Sequence, residues 1–127
     1  EVNCTNGGGI FIMGRTGEGV RRVTREGFNP TWSSDGNTLA YSLETTGIMP
    51  LNGERKSEIW AVSVEGGQAR RVTESDADGL DPSWSPVSDL IAYTQRRWRT
   101  AGTGMDIEVV SAARGGRPRR RDRGYPF

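Results

Sequence analysis

The sequence repeats itself with a period near fifty residues, and this repeat constrains the fold more than any other feature. Residues 10–24 (IFIMGRTGEGVRRVT) match residues 59–73 (IWAVSVEGGQARRVT) at an offset of 49. Residues 28–42 (FNPTWSSDGNTLAYS) match residues 80–94 (LDPSWSPVSDLIAYT) at an offset of 52. A third copy of the first segment follows at residues 107–121. Two interleaved segments that recur in order indicate one structural unit used repeatedly.

Each unit has the pattern of four short β-strands separated by turns. The strand pieces are rich in aromatic and β-branched residues, and they are residues 29–33, 38–43, 58–64 and 69–73. Between them, Ser-Asp-Gly-Asn at 34–37 and Glu-Gly-Gly at 65–67 supply the residues that hairpin turns require. No helical periodicity is present. The chain has 18 glycines and 6 prolines among 127 residues, an excess that also favours many turns.

The segment 59–64 (IWAVSV) is largely apolar on both faces, so both faces of its sheet should be covered by protein. A four-stranded antiparallel sheet that is covered on both faces and repeated at this period is a blade of a β-propeller. A β-sandwich built from similar hairpins is the alternative, although a sandwich does not need near-identical repeats. We therefore predict one all-β domain made of propeller blades with four antiparallel strands each.

Particular residues recur at equivalent positions of the unit: Pro30 with Pro82, Trp32 with Trp84, and Tyr41 with Tyr93. Together with the Arg-Arg-Val-Thr segments, they form a pattern that resembles the WD40-like repeat of TolB-type β-propellers. The resemblance covers residues 10–121 and implies a bacterial periplasmic or other extracytoplasmic setting, often inside an envelope complex. In the second copy, Val87-Ser88 replace the Asp-Gly pair, which should weaken that hairpin turn. We predict that both tryptophans are buried between blades.

The strand order of that family divides the chain into blades. Residues 10–24 form the outer half of one blade, residues 28–73 a full blade, and residues 80–121 a second full blade with a degenerate last strand, while residues 1–9 are a lead-in and residues 122–127 a tail. Two and a half blades make an incomplete ring, because TolB-like propellers close with six and known propellers need at least four. We expect the remaining propeller or other subunits to cover the apolar blade faces, so we do not expect a free monomer.

The sequence opens without an initiator methionine or a signal peptide, which indicates a processed chain or a fragment. Its single cysteine, Cys4, excludes an internal disulfide, and whether Cys4 carries a lipid stays open.

Two insertions, residues 44–57 and 95–106, separate the second and third strands of the blades and are expected to be loops. Insertions at one corner of a repeat often form a binding face, and solvated loops are the alternative. Trp98 lies between Arg97 and Arg99, a composition typical of an interface hot spot. The same three residues could also bind a phosphate or stack on a nucleobase.

The positive charge of the chain is concentrated at its end. Residues 96–127 carry 9 arginines and 3 acids, whereas residues 1–95 carry 8 basic and 13 acidic residues. The candidate interface arginines of this part are Arg117, Arg119, Arg120, Arg121 and Arg123. With Pro118, they could protect an edge strand from pairing. They could instead bind an acidic protein or an anionic membrane surface. Nucleic acid is disfavoured because residues 1–95 are net negative.

Catalytic chemistry has little support in the sequence. The chain has no histidine, which excludes imidazole-based triads, and it has no Gly-x-Ser-x-Gly elbow. Asp76, Asp78 and Asp81 lack the spacing of an EF-hand and are expected to lie in a solvated loop. The glycines at 7–9 lack the Gly-Lys-Ser/Thr ending of a phosphate-binding loop. We predict no catalytic residue, no cofactor and no metal.

The leading hypothesis for function is a non-enzymatic protein–protein interaction scaffold, or an accessory subunit of a larger extracytoplasmic complex. The alternative is a non-catalytic regulatory propeller fragment of a prolyl-oligopeptidase-like peptidase, because TolB-like blades also resemble the propellers of those enzymes.

Overall fold

The computed structural model describes residues 8–46, 55–74, 77–99, 102–113 and 119–120, and these residues form ten β-strands and no helix. The strands are β1 (Phe11–Ile12), β2 (Arg21–Arg22), β3 (Phe28–Trp32), β4 (Thr38–Thr46), β5 (Arg55–Ser63), β6 (Arg70–Arg71), β7 (Gly79–Trp84), β8 (Leu90–Arg99), β9 (Gly102–Ser111) and β10 (Arg119–Arg120). The prediction of an all-β fold is confirmed.

The ten strands form three antiparallel sheets, each built from strands that follow one another in the sequence. Strands β1 and β2 pair alone, and we call this sheet the half blade. Strands β3 to β6 form the first blade, and β7 to β10 form the second blade. In both four-stranded sheets the strand order equals the chain order, which is the arrangement of a propeller blade.

The two predicted insertion loops are largely strand in the described part of the chain, so that expectation is wrong. The β4–β5 ladder continues outward until Thr46 pairs with Arg55, and the β8–β9 ladder continues until Arg99 pairs with Gly102. The added residues therefore lengthen two hairpins. Extending the ladder satisfies backbone N–H and C=O groups that a loop would leave to water.

The turn between the first two strands closes in both blades despite the different sequences. In the first blade, the Ser33 hydroxyl, at 2.6 Å, and the Asn37 N–H, at 2.9 Å, donate to the Asp35 carboxylate and hold the pKa of Asp35 below its ordinary value. In the second blade, the N–H of Leu90 donates to the Ser88 hydroxyl at 3.3 Å. A serine thus replaces the aspartate as the local acceptor.

Two apolar cores lie between the three sheets. The core between the first and second blades consists of Ala40, Ile59, Ala61, Val72, Ile91, Tyr93, Val110 and Ala112, with Trp84 packed against it. The core between the half blade and the first blade has Ile10, Leu39, Tyr41 and Val62 at its centre. The first blade therefore has a buried core on each of its faces, as the apolar pattern of residues 59–64 predicted.

The repeat tyrosines need nearby glycines. Tyr41 and Tyr93 are both buried, and Gly27 and Gly79 stand at equivalent positions against their rings. A Cβ atom on Gly79 would lie 2.9 Å from Cδ2 of Tyr93, and one on Gly27 would lie closer still to Tyr41. Each glycine thus makes room for a tyrosine ring at a blade junction.

The prediction that both repeat tryptophans are buried is wrong for Trp32. Trp84 is partly buried against the core between the first and second blades, whereas Trp32 is 52% exposed. Trp32 lies opposite Leu39, on the face turned toward the half blade. The described half blade has only the counterparts of β5 and β6, so no inner strands cover this side chain. Pro82 is buried and Pro30 is exposed for the same reason.

Candidate interaction surface

Backbone N–H groups of β7 bond to side chains of the first blade. The N–H of Trp84 donates to Oγ1 of Thr31 at 3.1 Å, and the N–H of Asp81 donates to Oγ of Ser42 at 3.0 Å. Both hydroxyl residues lie on the face of the first blade that carries Ala40. We call this interface between the first and second blades the covered junction.

A β-bulge lies beside these contacts and includes Asp81. Asp81 has a φ of 52° and Asn29, its equivalent in the first blade, has a φ of 50°. Asparagine and aspartate tolerate this left-handed conformation better than other residues with a Cβ atom. Each lies at a register shift of its ladder, where a bulge leaves a residue unpaired. The Asn29 amide also donates to the Asp81 carboxylate across the covered junction.

Asp78 ties the two blades together at the base of the β8–β9 hairpin. Its carboxylate accepts from Nε of Arg96 at 3.1 Å and from Nη2 of Arg96 at 2.9 Å. It also accepts from the backbone N–H of Ser57 in the first blade at 2.9 Å. The expectation of a solvated loop is therefore wrong for Asp78, which is buried and whose charge is compensated by the ion pair with Arg96. Asp76 lies outside the described residues.

The outward face of the second blade has no described neighbour, and we call it the open face. Its members share one side of the sheet because they are cross-strand partners or alternate along β8 and β9. They are Ser83, Leu90, Ala92, Thr94, Met105, Ile107 and Val109. Leu90 is 43%, Met105 67% and Ile107 50% exposed. An apolar surface of this kind favours association with another protein surface.

The half blade exposes apolar side chains at the other end of the described stack. Phe11, Met13 and Val20 are each more than half exposed. The guanidinium carbon of Arg22 lies 5.2 Å from the centroid of the Phe11 ring, which is a cation–π distance. Both ends of the stack therefore present apolar surface.

The arginine–tryptophan segment lies on the extended β8–β9 hairpin. Arg97 pairs with Asp106 at 2.9 Å and with Glu108, whose carboxylate also accepts from the Tyr93 hydroxyl at 3.0 Å. Two carboxylates thus compensate the charge of Arg97. Trp98 and Arg99 are in strand β8, and their side chains lie outside the described part.

Two arginines of the terminal cluster form the outermost strand of the second blade. Arg119 pairs with Val109, and Arg120 pairs with Glu108, in the β9–β10 ladder. Arg117, Arg121 and Arg123 lie outside the described residues. The structure therefore places part of the basic cluster at the edge of the sheet that carries the open face.

The sequence reasoning did not assign a role at the covered junction to the residues that hold it. Thr31, Ser42 and Asp78 have no distinctive composition or spacing. A signal existed in the repeat, because hydroxyl residues stand at both equivalent positions of the second copy, Ser83 and Thr94.

Two further observations concern the described residues alone. They contain no helix that is long and apolar enough to cross a membrane. They also contain no group of three or more histidine, cysteine, aspartate or glutamate residues that could hold a metal ion.

Stacked four-stranded antiparallel sheets with apolar cores between them define this molecule as a set of β-propeller blades. The solved structure of a protein from Agrobacterium tumefaciens described as TolB superposes with a TM-score of 0.68 and 20% sequence identity, over 88% of this chain and 40% of that one. The fold is therefore TolB-like, as the repeat predicted.

The sequence comparisons are sparser. No family model matches the chain. An uncharacterized peptidase of Bacillus subtilis, YuxL, is 33% identical over 66 residues, which are 52% of this chain and 9% of the peptidase. The chain thus spans less than half of the solved structure and about a tenth of the curated relative.

Proposed function

We propose that this chain is a non-enzymatic protein-interaction segment, acting as a scaffold or an accessory subunit of a larger extracytoplasmic assembly. The main observation in support of this proposal is the exposed apolar surface of the open face. Ile59 and Ile107 occupy equivalent positions of the repeat, yet Ile59 is fully buried and Ile107 is 50% exposed. A surface that is covered in one copy of the repeat and bare in the next is suited to a protein partner.

The proposed partner is protein, and an anionic membrane surface is less favoured. The charge of Arg97 is compensated by Asp106 and Glu108, which weakens the hairpin as a site for phosphate or lipid head groups. The absence of histidine and of a Gly-x-Ser-x-Gly elbow supports a role without catalysis. The extracytoplasmic location is part of the proposal, and the resemblance of the repeat to TolB-type propellers supports it.

Sedimentation velocity of the 127-residue chain at micromolar concentration tests this function. We expect concentration-dependent association that Ile107→Glu reduces, because the charge lies in the open face. Val87→Glu is the matched control, since Val87 is exposed in a turn away from that face. A compact monomer that unfolds cooperatively, in the parent chain and in both variants, would contradict the proposal.

The second candidate function is that of a regulatory propeller fragment of a prolyl-oligopeptidase-like peptidase. The observation that favours it is the 33% identity with YuxL over 66 residues. Intact mass spectrometry of the native protein separates the two functions. A parent polypeptide that contains a hydrolase domain would favour the peptidase, and a parent that consists of propeller alone would favour the scaffold.

A further inference from the structure

We propose that the outer edges of the three sheets form a second interaction surface, which binds an acidic segment of a protein partner through paired arginines. These edges are the outermost strands β2, β6 and β10, and we call them together the rim. The rim is distinct from the open face, so this proposal goes beyond the proposed function.

The outermost strand of every described sheet is a pair of arginines. The pairs are Arg21 with Arg22, Arg70 with Arg71, and Arg119 with Arg120. Both residues of β2 and both residues of β6 are exposed. Neighbouring blades pack on the faces of a sheet, and the outermost strand stays at the periphery. The exposure of the rim is therefore independent of what covers the open face.

Arginines from two sheets flank the junction between the half blade and the first blade. Arg21 is the cross-strand partner of Ile12, and Arg71 is the partner of Trp60. Cross-strand partners lie on the same face of a sheet. Because Ile12 and Trp60 both pack in the core of this junction, Arg21 and Arg71 lie on the two faces that enclose it.

The covered junction has the same arrangement at its rim. Arg70 is the cross-strand partner of Ala61, which belongs to the core of this junction. Arg120 is at the register position of Glu108, whose carboxylate accepts from the core residue Tyr93. The rim thus places two arginines, one from each adjoining sheet, at each of the two junctions.

The contacts that rim arginines already make indicate the chemistry of the partner. Nη1 of Arg71 lies 3.5 Å from Oε1 of Glu58, and Nη2 of Arg70 donates to the backbone carbonyl of Ala112 in the next blade. A carboxylate and a peptide carbonyl are the two acceptors that an acidic protein segment offers together. A phosphate polymer offers neither. An acidic protein segment is therefore the occupant that these contacts favour.

Two rim arginines keep their positive charge uncompensated by a carboxylate of the described residues. They are Arg21 and Arg70, whereas Arg71 has Glu58 as its ion-pair partner. A single exposed pair between arginine and carboxylate contributes little, so an acidic segment must contact several rim arginines at once. The competing explanation is that these charges only protect the sheet edges from pairing.

The experiment measures binding of fluorescently labelled poly-L-glutamate to the full 127-residue chain by fluorescence anisotropy at low salt. Arg21→Gln with Arg70→Gln removes the two uncompensated rim charges. Arg15→Gln with Arg25→Gln is the matched control, because both arginines are exposed, lie outside the outermost strands and carry the same total charge. We expect the Kd to rise about fivefold in the rim variant and less than about twofold in the control. Added salt should reduce this difference by screening.

Two further variants separate binding from folding. Arg21→Lys with Arg70→Lys keeps the charge and loses the planar guanidinium fork, so it should recover only part of the affinity. Arg21→Gln alone removes no hydrogen bond or ion pair of the described residues and should still raise the Kd about twofold. Urea midpoints equal to that of the parent chain should accompany both losses of affinity.

Three results would overturn the proposal. Unchanged affinity for poly-L-glutamate, with self-association of the rim variant in sedimentation, would assign the arginines to edge protection alone. Equal weakening in the control would assign the binding to net charge. Equal or tighter binding of polyphosphate, or of vesicles of phosphatidylglycerol and phosphatidylcholine, through the same arginines would identify a phosphate-bearing partner instead. The Ile107→Glu measurement concerns the open face alone, so its failure leaves the rim result intact.

Discussion

The covered junction and the open face are two versions of one surface. Ala40, Ile59 and Ala61 are buried in the first, while Ala92, Ile107 and Val109 occupy the same repeat positions in the second and remain partly exposed. The two sheets have the same strand order and the same inner bulge. The difference lies in the neighbour alone. A blade of this type is thus built to be covered on both faces, and its own strands do not provide that cover.

The largest expected difference in stability is between truncations of the equivalent residues Ile59 and Ile107. Ile59→Ala should lower the free energy of unfolding by about 3 kcal/mol, because it leaves a cavity in a fully buried site. Ile107→Ala should cost less than about 1 kcal/mol, because Ile107 is half exposed. Urea denaturation of both variants measures the difference. Equal losses would mean that the open face is covered in solution.

Asp78 tests the polar side of the covered junction. Asp78→Ala should cost about 2–3 kcal/mol, since it leaves the partly buried Arg96 without its carboxylate and the Ser57 N–H without its acceptor. Asp89→Ala is the control, because Asp89 is exposed and its carboxylate accepts from the Ser111 hydroxyl, while its carbonyl bond to the Ala112 N–H is kept in the variant; it should change stability by less than about 0.5 kcal/mol. Thermal unfolding followed by circular dichroism compares them. Equal losses of stability in the two variants would show that the contacts of Asp78 do not stabilise the covered junction.

Truncation of the two repeat tryptophans should likewise cost more stability at the covered junction than on the exposed side. Trp84→Ala should cost about 2 kcal/mol, because the side chain packs on the junction core and its Nε1 donates to the carbonyl of Ser88 at 3.2 Å. Trp32→Ala should cost less than about 1 kcal/mol, because more than half of this side chain is exposed. Chemical denaturation gives both values. A larger loss for Trp32 would show that inner strands cover it in solution.

The smallest change in stability at neutral pH is expected for a substitution of the Tyr41 hydroxyl. Tyr41 lies in the core between the half blade and the first blade. Burial, with a further contribution from the Glu26 carboxylate, raises the pKa of Tyr41 above its ordinary value of about 10. The neutral phenol therefore contributes its full stability below about pH 10, and this contribution is lost as the pH rises through the folded-state pKa. Tyr41→Phe should flatten the alkaline part of a plot of urea midpoint against pH. An unchanged slope would place the Tyr41 hydroxyl in water.

The local features of the fold were predictable from the sequence, and the reason is physical. Strand positions follow from runs of aromatic and β-branched residues, and turns follow from Asp-Gly and Gly-Gly pairs, because these preferences act within a few residues. The repeat then identified the blade type, since Trp32 and Trp84, or Tyr41 and Tyr93, recur in the same order. The candidate interface arginines were named from composition, and they stay a prediction.

The sequence by itself therefore determined the blade type, the order of its strands and its repeat, but not the extension of β4–β5 and β8–β9 into two long hairpins. Only the tertiary structure decided which copy of each repeat residue is buried, because burial depends on a neighbouring sheet that lies about fifty residues away in the chain. It also decided that Asp78 pairs with Arg96 and Ser57, which local preferences do not encode. The hydroxyls of Thr31 and Ser42 gained their role in the same way, since a hydroxyl becomes a junction residue only when the strand of a neighbouring blade places an N–H group opposite it.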